Sequence, residues 1–231
     1  DFAAHWRVIP PFSDSGSGIL SNGFSATLIE GLDANQQPTG QYPFTVAAST
    51  SLVDFLGADS DLAITGVPHN QLVSMLNYVL RLKVGANGTT RQLNFDGTGL
   101  TSKFVSGVGP GIDPAHLTIS GHSLGGYLGQ VYQRIFGSAG VYTFNALGLT
   151  RPNDPLFDRL TNLLGLATGS YNSGAGENLL VPGEPAQLIG TIQGKAQIQV
   201  FSERQSKTID PLATISAHKM GYLADSLAVY D

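Results

Sequence analysis

Three short patterns near the middle of this chain constrain its fold more than any other feature. Residues 117–120 are apolar and β-prone, 126–136 carry Tyr127, Leu128, Val131, Tyr132 and Ile135 at helical spacing, and 141–144 are β-prone again. Strand, helix and strand in such quick succession imply a parallel crossover, which sets the fold class as α/β. The turn that opens the crossover reads Gly121, His122, Ser123, Leu124, Gly125, Gly126 and contains Gly-x-Ser-x-Gly. A serine on so sharp a strand-to-helix turn takes a strained backbone, and the residues two before and two after it must be small. Both are glycine here.

Around this unit, 24–30 and 42–49 are β-prone runs on either side of a polar stretch, 31–40, and predict a hairpin with a long loop. Over 71–83, Leu72, Val73, Leu76, Val79 and Leu80 form one helical stripe. Residues 188–192 and 198–201 read as strands, and 219–230 reads as a closing helix with Met220, Leu223, Leu227 and Tyr230 on one side. The glycine-dense, polar stretch 84–111 is too long for an ordinary connection, so a flexible lid or insertion is expected there. No internal repeat divides the 231 residues, and a single domain over 1–231 is expected.

Composition narrows the function. With 12 Lys+Arg against 17 Asp+Glu the net charge is −5, and no basic stripe offers itself to nucleic acid. The absence of cysteine excludes a disulfide framework, a thiol nucleophile and a thiolate metal site, and neither a metal nor another cofactor is expected. No run of eighteen apolar residues occurs, so no transmembrane segment is expected. The first residues lack the blocks of a signal peptide, and a processed or excised chain is expected. Low charge, no cysteine and an acidic balance fit a secreted bacterial protein.

A serine hydroxyl is almost wholly protonated at neutral pH and needs a general base within hydrogen-bond reach. Nucleophiles on this kind of turn are followed along the chain by an acid and then by a histidine. Of His5, His69, His116, His122 and His218, only His218 lies downstream of Ser123, and His122 is read as orienting the turn. The acid that fixes the imidazole must come from Asp154, Asp158, Glu177, Glu184, Glu203 or Asp210. Glu177 is preferred, because it follows 170–172 in a Gly-rich loop about where the next strand should end; Asp154 and Glu203 are the main alternatives. The helix behind Ser123 points N–H groups, among them that of Leu124, at an oxyanion forming on the substrate.

With these residues assembled, the chain resembles the class 3 lipases, the α/β-hydrolase family that includes fungal triacylglycerol lipases, and most of all their secreted bacterial members. The segment 117–129 is similar to the family's Gly-His-Ser-Leu-Gly-Gly block, and 141–157 resembles its Thr-Phe-Gly-x-Pro-Arg-Val-Gly-Asn stretch, which sets Asp154 apart from the triad. Residues 171–182 would occupy the position of the block that supplies the catalytic acid, with Glu177 the nearest carboxylate. The run 44–50 resembles the strand that ends in Arg-Gly-Thr or Arg-Gly-Ser, which implies Thr50 as a second oxyanion donor with Ser49 the alternative, although Ala48 and Ser49 stand where Arg and Gly would be expected. The resemblance implies an α/β-hydrolase fold, a mostly parallel central sheet flanked by helices.

The expected activity is a carboxylic ester hydrolase (lipase, esterase or phospholipase) acting on lipid-like esters, in solution or at a lipid–water interface. Ser123, Glu177 and His218 form its triad, and Thr50 and Leu124 its oxyanion hole. The alternative expectation is a non-catalytic relative that binds an acyl ligand or a partner protein, which would have no need of a glycine-flanked serine at that turn.

Overall fold

A computed structural model of the chain describes residues 2–13, 23–48, 68–95, 99–149, 155–166, 176–180 and 196–199. A short helix, α1 (Phe2–His5), leads into strand β1 (Trp6–Ser13), followed by β2 (Phe24–Gly31) and β3 (Tyr42–Ala48). Helix α2 (His69–Val84) precedes a pair of strands, β4 (Thr89–Phe95) and β5 (Leu100–Ser106). The chain then passes through β6 (Leu117–His122), helix α3 (Leu124–Phe136), β7 (Gly140–Phe144), helix α4 (Pro155–Leu163), β8 (Gly176–Leu180) and β9 (Ala196–Gln199).

Seven strands form one sheet in the order β1-β2-β3-β6-β7-β8-β9, and β4 and β5 form a separate antiparallel pair. The pairs β1–β2 and β2–β3 are antiparallel, whereas β3–β6, β6–β7, β7–β8 and β8–β9 are parallel. Local chemistry explains the antiparallel half. Asp33 accepts the N–H groups of Asn35 and Gln37 on its side chain, and Gln36 takes φ +62°, so the chain reverses within a few residues and β3 must return beside β2.

This arrangement corrects the expected α/β-hydrolase fold with a mostly parallel sheet flanked by helices. The described residues are sheet-rich and mixed: five of the nine strands, β1 to β5, take part in an antiparallel pairing. Among the described residues, one face of the sheet is well covered, that of Phe44, Val46, Leu117, Ile119 and Val141, all at most 1% exposed. Helix α3 lies on it through Gly129, which packs against Ile119 and Val141, and α2 through Tyr78, whose ring centroid is 6.0 Å from that of Phe44. The opposite face carries the exposed Tyr142 and Val8. Two features hid this from the sequence reading: Pro10 and Pro11 interrupt the pattern of β1, and a hairpin stands where irregular chain was expected.

Within 84–111, β4 and β5 pair from Thr89↔Ser106 to Phe95↔Leu100. The hairpin is tied along its length. The buried Asn77 side chain donates to the carbonyl of Leu93 (2.7 Å) and accepts its N–H (2.8 Å), so one carboxamide continues the β ladder into helix α2. Arg81 Nε donates to the Ser106 carbonyl, and Arg91 donates to the carbonyl of Leu163, the last residue of α4, while its guanidinium lies over the Phe104 ring.

The strand 42–49 and both central helices fall close to their expected positions. The strand expected over 198–201 is β9, two residues earlier. The elements expected over 188–192 and 219–230 lie outside the described residues.

Candidate functional site

Strand β6 ends at His122, and Ser123 turns the chain into α3 with φ +54° and ψ −120°, a left-handed backbone that side-chain-bearing residues rarely adopt. Such a residue costs of order 1–3 kcal/mol and persists only where its surroundings over-determine it. Here they do. A methyl group on Gly121 would lie 2.4 Å from the Gly125 carbonyl oxygen, and one on Gly126 would lie 2.6 Å from Ala146 Cβ. The Ser123 N–H donates to the Phe144 carbonyl (3.0 Å), and its carbonyl accepts from the N–H groups of Tyr127 (3.1 Å) and Leu147 (3.4 Å). Ser123 is half-buried, and Leu124 opens the helix with its side chain in the core.

The parallel strands deliver neighbouring segments to the same edge. Val46 pairs with Gly121, so Ala48, two residues on at the end of β3, is level with Ser123. Phe144 pairs with both His122 and Leu179, and Asn145 (φ +44°) donates its N–H to the Leu179 carbonyl at 2.9 Å. The carboxyl ends of β3, β6, β7 and β8 therefore lie along the same edge as Ser123, the edge at which parallel strands carry ligand sites.

Glu177 is not brought to that edge. It is the second residue of β8, exposed, and it pairs with Tyr142, which pairs with Ser120. That row is three residues short of Ser123, about 10 Å along the strands and two strands away, roughly another 10 Å across. The loop expected at Glu177 is strand because 176–180 begins with Gly, Glu and Asn, a poor strand signal that the pairing with β7 overrides. Asp158 is exposed on α4. His218, Thr50, Ser49, Asp154, Glu184, Glu203 and Asp210 lie outside the described residues.

Sequence reasoning missed the residues that wrap the turn from the β7 side: Asn145, Ala146, Leu147 and the buried Gln130, whose Nε2 donates to the Leu147 carbonyl (2.9 Å). Gln130 falls off the apolar stripe of α3, on the side of Gly126 and the buried Gln133, so helical periodicity carries no signal for it. Among the described residues, no group of three or more His, Asp or Glu side chains is placed to hold a metal ion, and no helix is long and apolar enough to cross a membrane. No protein-family model matches the chain, and no curated protein matches it.

Proposed function

We propose that this chain is a serine carboxylic ester hydrolase, a lipase, esterase or phospholipase that cleaves lipid-like esters through an acyl-enzyme. The observation that carries the reading is the left-handed Ser123 between Gly121 and Gly125, neither of which has room for a methyl group. A mere connection between strand and helix has no use for a backbone this costly on a serine. The same reading makes the enzyme secreted, meeting its substrate in solution or at a lipid–water interface.

Ser123 Oγ attacks the ester carbonyl carbon while the imidazole of His218 accepts the hydroxyl proton. The carbonyl electron pair moves to oxygen, where the N–H of Leu124 and a donor from Thr50 stabilise it; each such donor is worth about 3 to 4 kcal/mol of barrier. Collapse expels the alcohol with the proton from the imidazolium, and water then releases the acid by the same steps. The level of Ala48 with Ser123 supports Thr50, two residues further, as that donor.

For the acid we assign Glu184 in place of Glu177. Strand β8 leaves the sheet at Leu180 on the edge that holds Ser123, and Glu184 is the first carboxylate after it. Hydrolysis of a p-nitrophenyl ester ladder tests both assignments. Ser123→Ala and His218→Ala are expected to abolish turnover, Glu184→Gln to lower kcat by about 10⁴-fold as loss of the orienting acid does, and Glu177→Gln to leave it near wild type. Wild-type rates in Ser123→Ala would overturn the hydrolase reading; collapse in Glu177→Gln alone would return the acid to Glu177.

A further inference from the structure

Among the described residues, two backbone hydrogen bonds of Ser123 lead into segment 144–147, through the Phe144 carbonyl and the Leu147 N–H. That segment must itself be held. Asn145 is anchored to β8 through the Leu179 carbonyl, and Ala146 lies against Gly126, where the first turn of α3 offers no side chain. Leu147 is tied by one side chain, Gln130, seven residues beyond Ser123 on α3. Its Nε2 donates to the Leu147 carbonyl at 2.9 Å and approaches the Gly126 carbonyl at 3.4 Å. Gln130 is wholly buried beside Gly129 and Val131, a place where an apolar side chain would avoid the cost of desolvating a carboxamide.

We propose that Gln130 is a positioning residue for Ser123: its amide clamps segment 144–147 onto the first turn of α3 and thereby holds the serine in its left-handed conformation. The proposal rests on the reading of Ser123 as nucleophile. Gln130 touches no reacting atom. It closes a ring of contacts that runs from Ser123 through Phe144 and Leu147 to Gln130 and back along the helix. Without the clamp, segment 144–147 can lift away from the helix, and the hydroxyl samples orientations in which it does not attack.

The test is the rate of covalent labelling by a fluorophosphonate, with ester turnover and thermal melting measured alongside, in wild type, Gln130→Met and Gln130→Glu. Methionine keeps the volume without the donor, and the labelling rate is expected to fall about ten- to a hundredfold, with kcat falling more than KM rises. A carboxylate at 130 cannot donate, but its protonated form can, and burial raises its pKa. The ratio of Gln130→Glu to wild type is therefore expected to recover as the pH is lowered, while the ratio for Gln130→Met stays flat. Wild-type labelling in folded Gln130→Met, or a flat ratio for Gln130→Glu, overturns the positioning role and leaves the hydrolase reading intact. If wild type is not labelled at Ser123, the hydrolase reading fails and this inference falls with it.

Discussion

A methyl group placed on Gly125 would lie 2.3 Å from the carbonyl oxygen of Val46. Helix α3 thus meets strand β3 backbone to backbone, and this contact sets how deeply the helix that begins after Ser123 sits in the sheet.

Gly125→Ala and Gly121→Ala are accordingly expected to destabilise the protein by about 3 kcal/mol or more, since the opposing atoms are main chain and cannot rotate away. Gly99→Ala is the control, because a methyl group there meets nothing within 4 Å. Urea denaturation of the three variants checks the ranking; equal midpoints would mean that the turn has slack.

The central crossover was legible in the sequence because Leu117, Ile119, Leu128, Val131 and Val141 all face one buried layer, so periodicity and burial coincide. Helix α2 was legible for the same reason, with Leu72, Leu76 and Val79 wholly buried. The hairpin of β4 and β5 was not, since five of the seven residues of β5 are exposed and the apolar alternation that marks a half-buried strand is missing. Glu177 was placed wrongly in a loop because short interior strands draw their stability from neighbours that a local reading does not see. Ser123 is legible from Gly-x-Ser-x-Gly together with its setting between a strand and a helix; the 144–147 segment that steadies it comes from a different strand, and only the fold brings it there.

Ser123→Gly is expected to raise stability by about 1 kcal/mol while removing turnover, because glycine takes φ +54° without the side-chain penalty. Paired measurement of the melting temperature and ester hydrolysis checks this. A variant less stable than wild type would mean that the hydroxyl, and not the backbone, dominates at this position.

Asn77→Leu is expected to cost about 2–3 kcal/mol, since it removes both partners of the Leu93 peptide group and leaves that group buried without them. Hydrogen exchange should show the Leu93 amide losing protection ahead of the amides of β6. Unchanged protection at Leu93 would show that the hairpin is held by its other ties.

Alkaline pH should weaken the fold. Burial pushes the Tyr78 hydroxyl up to about 12, and burial also raises Tyr132 well above the ordinary tyrosine value of 10.0. In Tyr42 burial is the larger cause, and the carboxylate of Glu30, which accepts its hydroxyl proton, adds to it. A folded pKa above the unfolded one means that the stabilisation is complete below pH 10 and is lost as the pH rises from there through the folded value. Urea midpoints should fall between about pH 10 and 12, and Tyr78→Phe should flatten the decline. A midpoint unchanged across that range would contradict the buried placement of these rings.

The hairpin of β4 and β5 leaves and rejoins the main body at one doorway: Gly107 passes against the Gly85 carbonyl, the Gly107 N–H reaches the Gly88 carbonyl, and the Ala86 N–H reaches that of Gly109. The excursion is therefore topologically neutral. Its two ends stand one hydrogen bond apart, at 2.9 and 3.0 Å, so the course from α2 to β6 would be the same with the tip between Phe95 and Leu100 shortened or lengthened, and variation in size has room to accumulate there without disturbing the serine.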